Sequence, residues 1–167
     1  MSKIAFVGGK LVDGTGAAPV EDSLVLVDDK KIAYAGPRTE VPEGYEVRDI
    51  QGRTIMPGLI DTHLHFSGNL TDNDNDWVIE SVAQKQACAV KQSWDALSHG
   101  LTTVCEIGRN GIAIRDLVNM GVMEGPRIYA TGLGFCRVAG HGDCHQLPQQ
   151  ISKEGHPWGD QVDGPWD

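Results

Sequence analysis

Residues 55–65 read Ile-Met-Pro-Gly-Leu-Ile-Asp-Thr-His-Leu-His, an apolar run that is interrupted by Pro-Gly and ends in two imidazoles. Side chains of an extended strand alternate between its faces, so an extended segment 59–65 projects His63 and His65 from the same side. Neutral imidazole is a common ligand for zinc and similar divalent ions. The segment therefore predicts a strand with a pair of metal ligands. A bare His-x-His also occurs as two ordinary exposed or core histidines, so the surrounding sequence has to decide.

The composition is that of an ordinary globular protein. Of the 167 residues, 40% are hydrophobic and 22% are charged, which is enough for a substantial core. The formal net charge is -9 and no Lys/Arg run occurs, which argues against nucleic acid as a partner. No window approaches the ~18 apolar residues that span a bilayer, and no secretory leader is recognisable. The sequence predicts a cytoplasmic protein without a membrane partner.

The first 56 residues form a β-rich region. Short runs of strand-forming residues alternate with turn residues such as Asp-Gly and Gly-Pro. Strands are predicted at 3–7, 10–12, 23–27, 31–35, 45–49 and 53–56. This pattern indicates a small β domain over residues 1–56.

The pattern changes after His65 to an alternation of strands and helices. Apolar residues at helical spacing predict a helix over 78–99 that stops at Gly100, and 112–120 predicts a second helix with Asn110 as its N-cap and Gly121 as its stop. The strand 101–107 lies between these helices, and the strand 127–131 follows them. Such alternation is typical of a parallel sheet. Residues 132–167 are predicted to be a long loop.

The β region, the segment 57–65 and the Gly-Leu-Thr-Thr-Val segment 100–104 resemble the amidohydrolase superfamily of metal-dependent hydrolases. The resemblance is strongest to the imidazolonepropionase-related and Xaa-Pro-dipeptidase-like branch, whose members also have a loop similar to the Gly-His-Gly-Asp of 140–143. Those proteins are (β/α)8 TIM-like barrels with a small β-sandwich. The resemblance implies an α/β fold in which 1–56 is a β-sandwich segment and 57–167 is the first part of the barrel.

The resemblance also implies a chemistry. His63 and His65 would bind one or two divalent ions, with zinc as the first choice, and metal-activated water would attack an amide, peptide or urea-like C–N bond of a small molecule or dipeptide. The family's general base, its other histidine ligands and its lysine ligand belong to later barrel strands, so no catalytic base is assigned in this chain. Three parallel strands do not close a barrel, and a zinc site needs three or four ligands. We therefore expect a second chain that carries the C-terminal remainder of the same enzyme. Because members of the family often associate, we also expect a homo-oligomer.

Other polar residues are candidates for contact with substrate. Glu106 and Arg109 follow the second barrel strand, where side chains of barrel enzymes line the active site. His141 and His145 lie on the loop after the third strand, although a hydrogen-bonded loop histidine is an equally good interpretation of His141. Asp61 is predicted either to orient a metal ligand or to form an interior hydrogen bond.

Two alternatives stay open at this stage. A deaminase or cyclic-ureide hydrolase of the same superfamily shares every residue visible here. A non-catalytic fragment or binding module, in another class, would keep the sandwich and part of the barrel without completing a metal site.

Overall fold

The computed structural model describes residues 2–69, 71, 79–143, 159–162 and 164. The chain divides into two compact units, Met1–Pro57 and Gly58–Asp167. Among the described residues, no helix has the length and apolar character needed to cross a membrane.

The first unit consists of six short strands separated by turns. They are β1 Lys3–Val7, β2 Lys10–Leu11, β3 Ser23–Asp28, β4 Lys31–Pro37, β5 Glu46–Asp49 and β6 Thr54–Ile55. The four longer strands form a sheet in the order β4-β3-β1-β5, in which only the β1–β5 pair is parallel, and β2 pairs in parallel with β6. Buried side chains of β1 and β3 form the core of this unit, namely Ala5, Val7, Leu24 and Leu26.

The second unit contains the predicted parallel sheet. Its elements are β7 Leu59–Leu64, α1 Val82–Ser98, β8 Leu101–Glu106, α2 Gly111–Asn119, β9 Arg127–Ala130, β10 Gly134–Cys136 and β11 Gly159–Gln161. Strands β7, β8 and β9 are parallel neighbours in that order, and a helix stands between each consecutive pair in sequence. The C-terminal ends of the three strands therefore lie at one edge of the sheet.

The ends of the helices follow from local sequence. Ser81 and Gln84 form a reciprocal capping box, so α1 begins at Val82, later than the predicted residue 78. At the other end, Gly100 adopts φ 91°, which stops α1 as expected. Helix α2 ends at Asn119 and Gly121 has φ 71°, also as expected.

The core of the second unit lies between the sheet and the two helices. It consists of side chains that are at most 8% exposed and come from β8, β9, both helices and the segment after β7, namely Phe66, Ala89, Ala96, Val104, Ile114 and Ile128. Burial of a Phe side chain contributes about 1.5–3 kcal/mol, so Phe66 anchors the chain that leaves β7.

The prediction that residues 132–167 are only loop is wrong in part. Strand β10 pairs in parallel with β11, and Val162 N–H donates to the carbonyl of Cys136 over 2.8 Å. These strands have three residues each, which is too short for an alternation of polar and apolar residues to show in the sequence. Their partners are also distant in the chain, so no local turn signal reveals the pairing.

Candidate metal centre

His63 and His65 lie together at the end of β7. Their ring centroids are 5.1 Å apart and the ring planes are nearly perpendicular, at 85°. Both residues are exposed, so an ion can reach the rings from solvent. The extended backbone of 59–65 that the sequence predicts is thus present, and it brings the two imidazoles side by side.

A backbone carbonyl orients the His65 ring. Nδ1 of His65 lies 2.5 Å from the carbonyl oxygen of Ile107, just beyond β8. The carbonyl can only accept, so Nδ1 carries the proton and Nε2 has the lone pair in the neutral ring. Metal-bound histidines commonly hydrogen-bond through the other ring nitrogen in this way. The donor set therefore suits a divalent ion at Nε2 of His65.

Asp61 has a structural contact within β7. Its Oδ1 accepts a hydrogen bond from the backbone N–H of His63 over 2.9 Å. The register to β8 shifts between Asp61 and Leu64, so the strand is irregular where this bond forms. The bond supports the backbone at His63, and the two roles predicted for Asp61, orientation of a metal ligand or an interior hydrogen bond, stay predictions.

The segment after His65, residues 66–69, is bound by side chains from distant elements. Gly68 N–H donates to Gln92 Oε1 over 3.0 Å, and Asn110 Nδ2 donates to the carbonyl of Phe66 over 2.7 Å. Gly68 adopts φ 78°, and a Cβ there would lie 2.3 Å from the carbonyl oxygen of Lys85. Only glycine fits this close approach to α1.

Asn110 stands at the N-cap position of α2, as predicted, but its side chain does not cap the helix. Asn110 has helical dihedral angles and its side chain forms no capping hydrogen bond. It is buried and instead contacts the segment 66–69. Sequence reasoning also missed Gln86 and Gln92 on α1, because a glutamine at helical spacing gives no signal of a partner on another element.

Glu106 ends β8 and is only 1% exposed. Its Oε1 accepts from Phe66 N–H over 3.2 Å, whereas Oε2 has no hydrogen-bond partner of normal geometry among the described residues. Burial raises the pKa of Glu106, and the amides of Phe66 and Gly111 and the charge of His65 oppose that rise. Gly111 begins α2, so the carboxyl group lies at the positive end of this helix. The buried carboxyl group is therefore placed to hydrogen-bond the backbone rather than to contact a substrate from solvent.

The other predicted substrate residues differ in their surroundings. Arg109 and His141 are exposed, and His145 lies outside the described residues. His141 is on the loop 137–143, which its own hydrogen bonds hold together: Gly142 N–H to Cys136 Sγ at 3.1 Å, and Ala139 N–H to Asp143 Oδ2 at 2.7 Å.

The described residues do not complete a metal site. Within them, no group of three or more His, Cys, Asp or Glu side chains is arranged to hold an ion. His63 and His65 bring together two imidazoles, and a zinc site needs at least three ligands.

Comparisons with known proteins show which family the chain belongs to. Residues 54–153 match the sequence profile of the amidohydrolase family. Ochratoxinase of Aspergillus niger is 32% identical over 147 residues, which is 84% of this chain and 30% of the relative. A deaminase of 5-methylthioadenosine/S-adenosylhomocysteine from Symbiobacterium thermophilum is 29% identical over 173 residues, or 84% of this chain and 39% of the relative.

Solved structures show the same likeness. A prolidase in complex with N-methylphosphonate-L-proline superposes with a TM-score of 0.78 at 25% identity, over 98% of this chain and 41% of the prolidase. The crystal structure of A. niger ochratoxinase gives a TM-score of 0.75 at 26% identity, with the same coverage of 98% and 41%.

The chain belongs to the amidohydrolase family. The predicted fold class is confirmed: an α/β fold comprising a small β domain and the first part of a TIM-like barrel. The chain spans about 30% of the length of the first curated relatives that it matches.

Proposed function

We propose that this chain supplies part of the metal centre of a hydrolase that cleaves a C–N bond in a small molecule or dipeptide. The observation that carries the proposal is the pair of adjacent imidazoles on β7, one of which has its Nδ1 engaged by Ile107. His63 and His65 would hold the ion, with zinc as the first choice for an imidazole donor set.

The bound ion supplies a Lewis acid that polarises the scissile carbonyl and lowers the pKa of water. The residues of this chain orient the ligands. Ile107 holds the His65 ring, Asp61 supports the backbone of His63, and the buried Glu106 supports the backbone after His65. We propose that Arg109, His141 and His145 contact the substrate, since residues that follow barrel strands line the active sites of such enzymes.

The remaining ligands and the general base would come from outside residues 1–167, in our proposal from the C-terminal remainder of the enzyme as a second chain. To test for this second chain, the protein is purified as one native species, and the masses of the polypeptides that co-elute in it are measured by denaturing mass spectrometry. A second polypeptide of roughly 15 kDa or more, the mass of a ~250-residue barrel less the part present here, supports it. The cytoplasmic location and homo-oligomer stay predictions.

The activity is tested on the same co-eluting species, loaded with zinc. We expect release of amino acid from Xaa-Pro dipeptides and N-acyl amino acids, and loss of this release together with bound zinc in His63→Ala. His99→Ala is the matched control, because His99 is also exposed but lies at the end of α1. Equal activity in His63→Ala and the wild type would contradict the proposal.

The second candidate is a deaminase, which the relative from Symbiobacterium thermophilum supports. The same assay separates the two, because a deaminase releases ammonia from adenosine analogues and leaves dipeptides intact. A protein that binds no zinc and performs neither reaction would instead be a non-catalytic binding module.

A further inference from the structure

The backbone of Phe66 is held on both sides by buried side chains. Its N–H donates to Glu106 over 3.2 Å, and its carbonyl accepts from Asn110 over 2.7 Å. Each peptide unit is planar, so the N–H contact fixes the plane that joins His65 to Phe66, and the carbonyl contact fixes the next plane. Together they set the direction in which the chain leaves His65.

Asn110 is in turn oriented from α1. Gln86 Nε2 donates to Asn110 Oδ1 over 2.5 Å, which directs the amide nitrogen of Asn110 towards the carbonyls of Phe66 and Ser67, at 2.7 and 3.4 Å. Asn110 is only 5% exposed. The side chain at position 110 has to accept a hydrogen bond from Gln86 and donate one to the carbonyl of Phe66 at the same time. A neutral amide can do both.

The chain before His65 is held by the sheet. Ile107 N–H donates to the carbonyl of Leu64 over 2.9 Å, and the carbonyl of Ile107 contacts the His65 ring. The direction of the imidazole therefore depends on the β7–β8 ladder before it and on the contacts of Phe66 after it.

We infer that Asn110, oriented by Gln86, is a positioning residue that aligns His65 for metal binding. The inference rests on the proposed function, in which His65 is a ligand. It assigns to Asn110 a role distinct from capping of α2, for which no side-chain hydrogen bond exists.

Asn110→Asp separates the two roles. Aspartate caps a helix as well as asparagine does, so a capping role predicts no loss. A carboxylate facing the carbonyl of Phe66 has no proton to donate, so the positioning role predicts that zinc binds roughly 10–100-fold more weakly, the usual effect of removing a partner that orients a ligand. The amides of residues 66–69 should also exchange with deuterium faster.

The measurements are zinc titration calorimetry and hydrogen exchange on the co-eluting native species, in which the proposed metal centre has its remaining ligands. Gln86→Ala is the second variant and should shift both readouts in the same direction, which keeps the test decisive if Asn110→Asp does not fold.

Asn119→Asp, the same change at the exposed end of α2, should leave zinc affinity and hydrogen exchange unchanged. Ile114→Val, in the core, should lower the melting temperature without changing zinc affinity.

Zinc affinity and exchange equal to the wild type in the folded variants would overturn the inference. If zinc fails to bind even to the wild type, the proposed metal centre is wrong. In that case, hydrogen exchange of 66–69 and the 15N signals of the His65 ring, which report its bond to Ile107, still decide whether Asn110 positions His65.

Discussion

Two histidine-bearing regions of the second unit are held in opposite ways. The segment 66–69, next to His65, is bound by side chains that lie 23 to 44 positions away in sequence. The loop 137–143, which carries His141, is held by hydrogen bonds that span six positions or fewer. The position of His65 therefore depends on the fold of the whole unit, whereas the shape of the His141 loop is local.

This difference suits the roles proposed for the two histidines. A metal ligand has to be held within about 0.5 Å of its working position by surrounding packing and hydrogen bonds. A residue that contacts substrate works from a loop, where specificity resides in barrel enzymes. Substitutions around 66–69 should therefore affect stability and zinc together, and substitutions in 137–143 should affect neither strongly.

The largest effect is expected from Gly68→Ala. The new Cβ would meet the carbonyl of Lys85 at 2.3 Å at a φ of 78°, so we expect a loss of about 2–4 kcal/mol from overpacking and strain. Urea denaturation followed by circular dichroism measures the loss. Gly121→Ala is the control, since Gly121 has a similar φ of 71° but open space around it, and it should lose only about 1 kcal/mol. Equal losses would show that the segment 66–69 is not tightly held.

A smaller, pH-dependent effect is expected at Glu106. Burial raises the pKa of Glu106 in the folded protein, so folding favours the neutral carboxyl relative to the unfolded chain. Its contribution to stability is complete below the ordinary glutamate pKa of about 4.5 and is lost as pH rises through the raised value. Glu106→Gln should therefore show a smaller loss of stability between pH 4.5 and 7.5 than the wild type does. Urea midpoints in zinc-free buffer test this, and parallel pH profiles would contradict it.

The smallest effect is expected from Cys136→Ala, at the end of β10 next to the His141 loop. The change removes the bonds of Cys136 Sγ to Gly142 N–H and to the carbonyl of Arg137. Neutral hydrogen bonds contribute about 0.5–1.5 kcal/mol each, and sulfur bonds lie at the weak end. We expect a loss below about 1 kcal/mol by urea denaturation and an unchanged zinc affinity. A tenfold weaker affinity for zinc would mean that the two regions are coupled.

Local patterns predicted most of the fold. Strand β8 was evident because Leu101, Thr102, Thr103 and Val104 favour extended backbone and follow a glycine that ends a helix. His63 and His65 were predicted as neighbours because strand periodicity alone brings them together, and the 5.1 Å separation of their rings agrees.

Long-range pairing was not predictable in the same way. The bond from Asn110 to Phe66 joins residues 44 apart, and an asparagine just before a helix carries a stronger local signal for capping than for this contact. The β10–β11 pair likewise depends on tertiary context. For Glu106, sequence predicted its place at a strand end but not its burial, which depends on the close approach of Gly111, at the start of α2, to the carboxyl group.

The most direct test of the metal centre is 15N NMR of the imidazole rings during titration of the metal-free co-eluting species with zinc. We predict that Nε2 of His65 and one ring nitrogen of His63 shift together, while Nδ1 of His65 keeps its proton and its bond to Ile107. His99, whose Nδ1 lies 2.7 Å from the carbonyl of Asp95, should not respond. Signals of His63 and His65 that stay unchanged, or that shift no more than those of His99, would contradict the account.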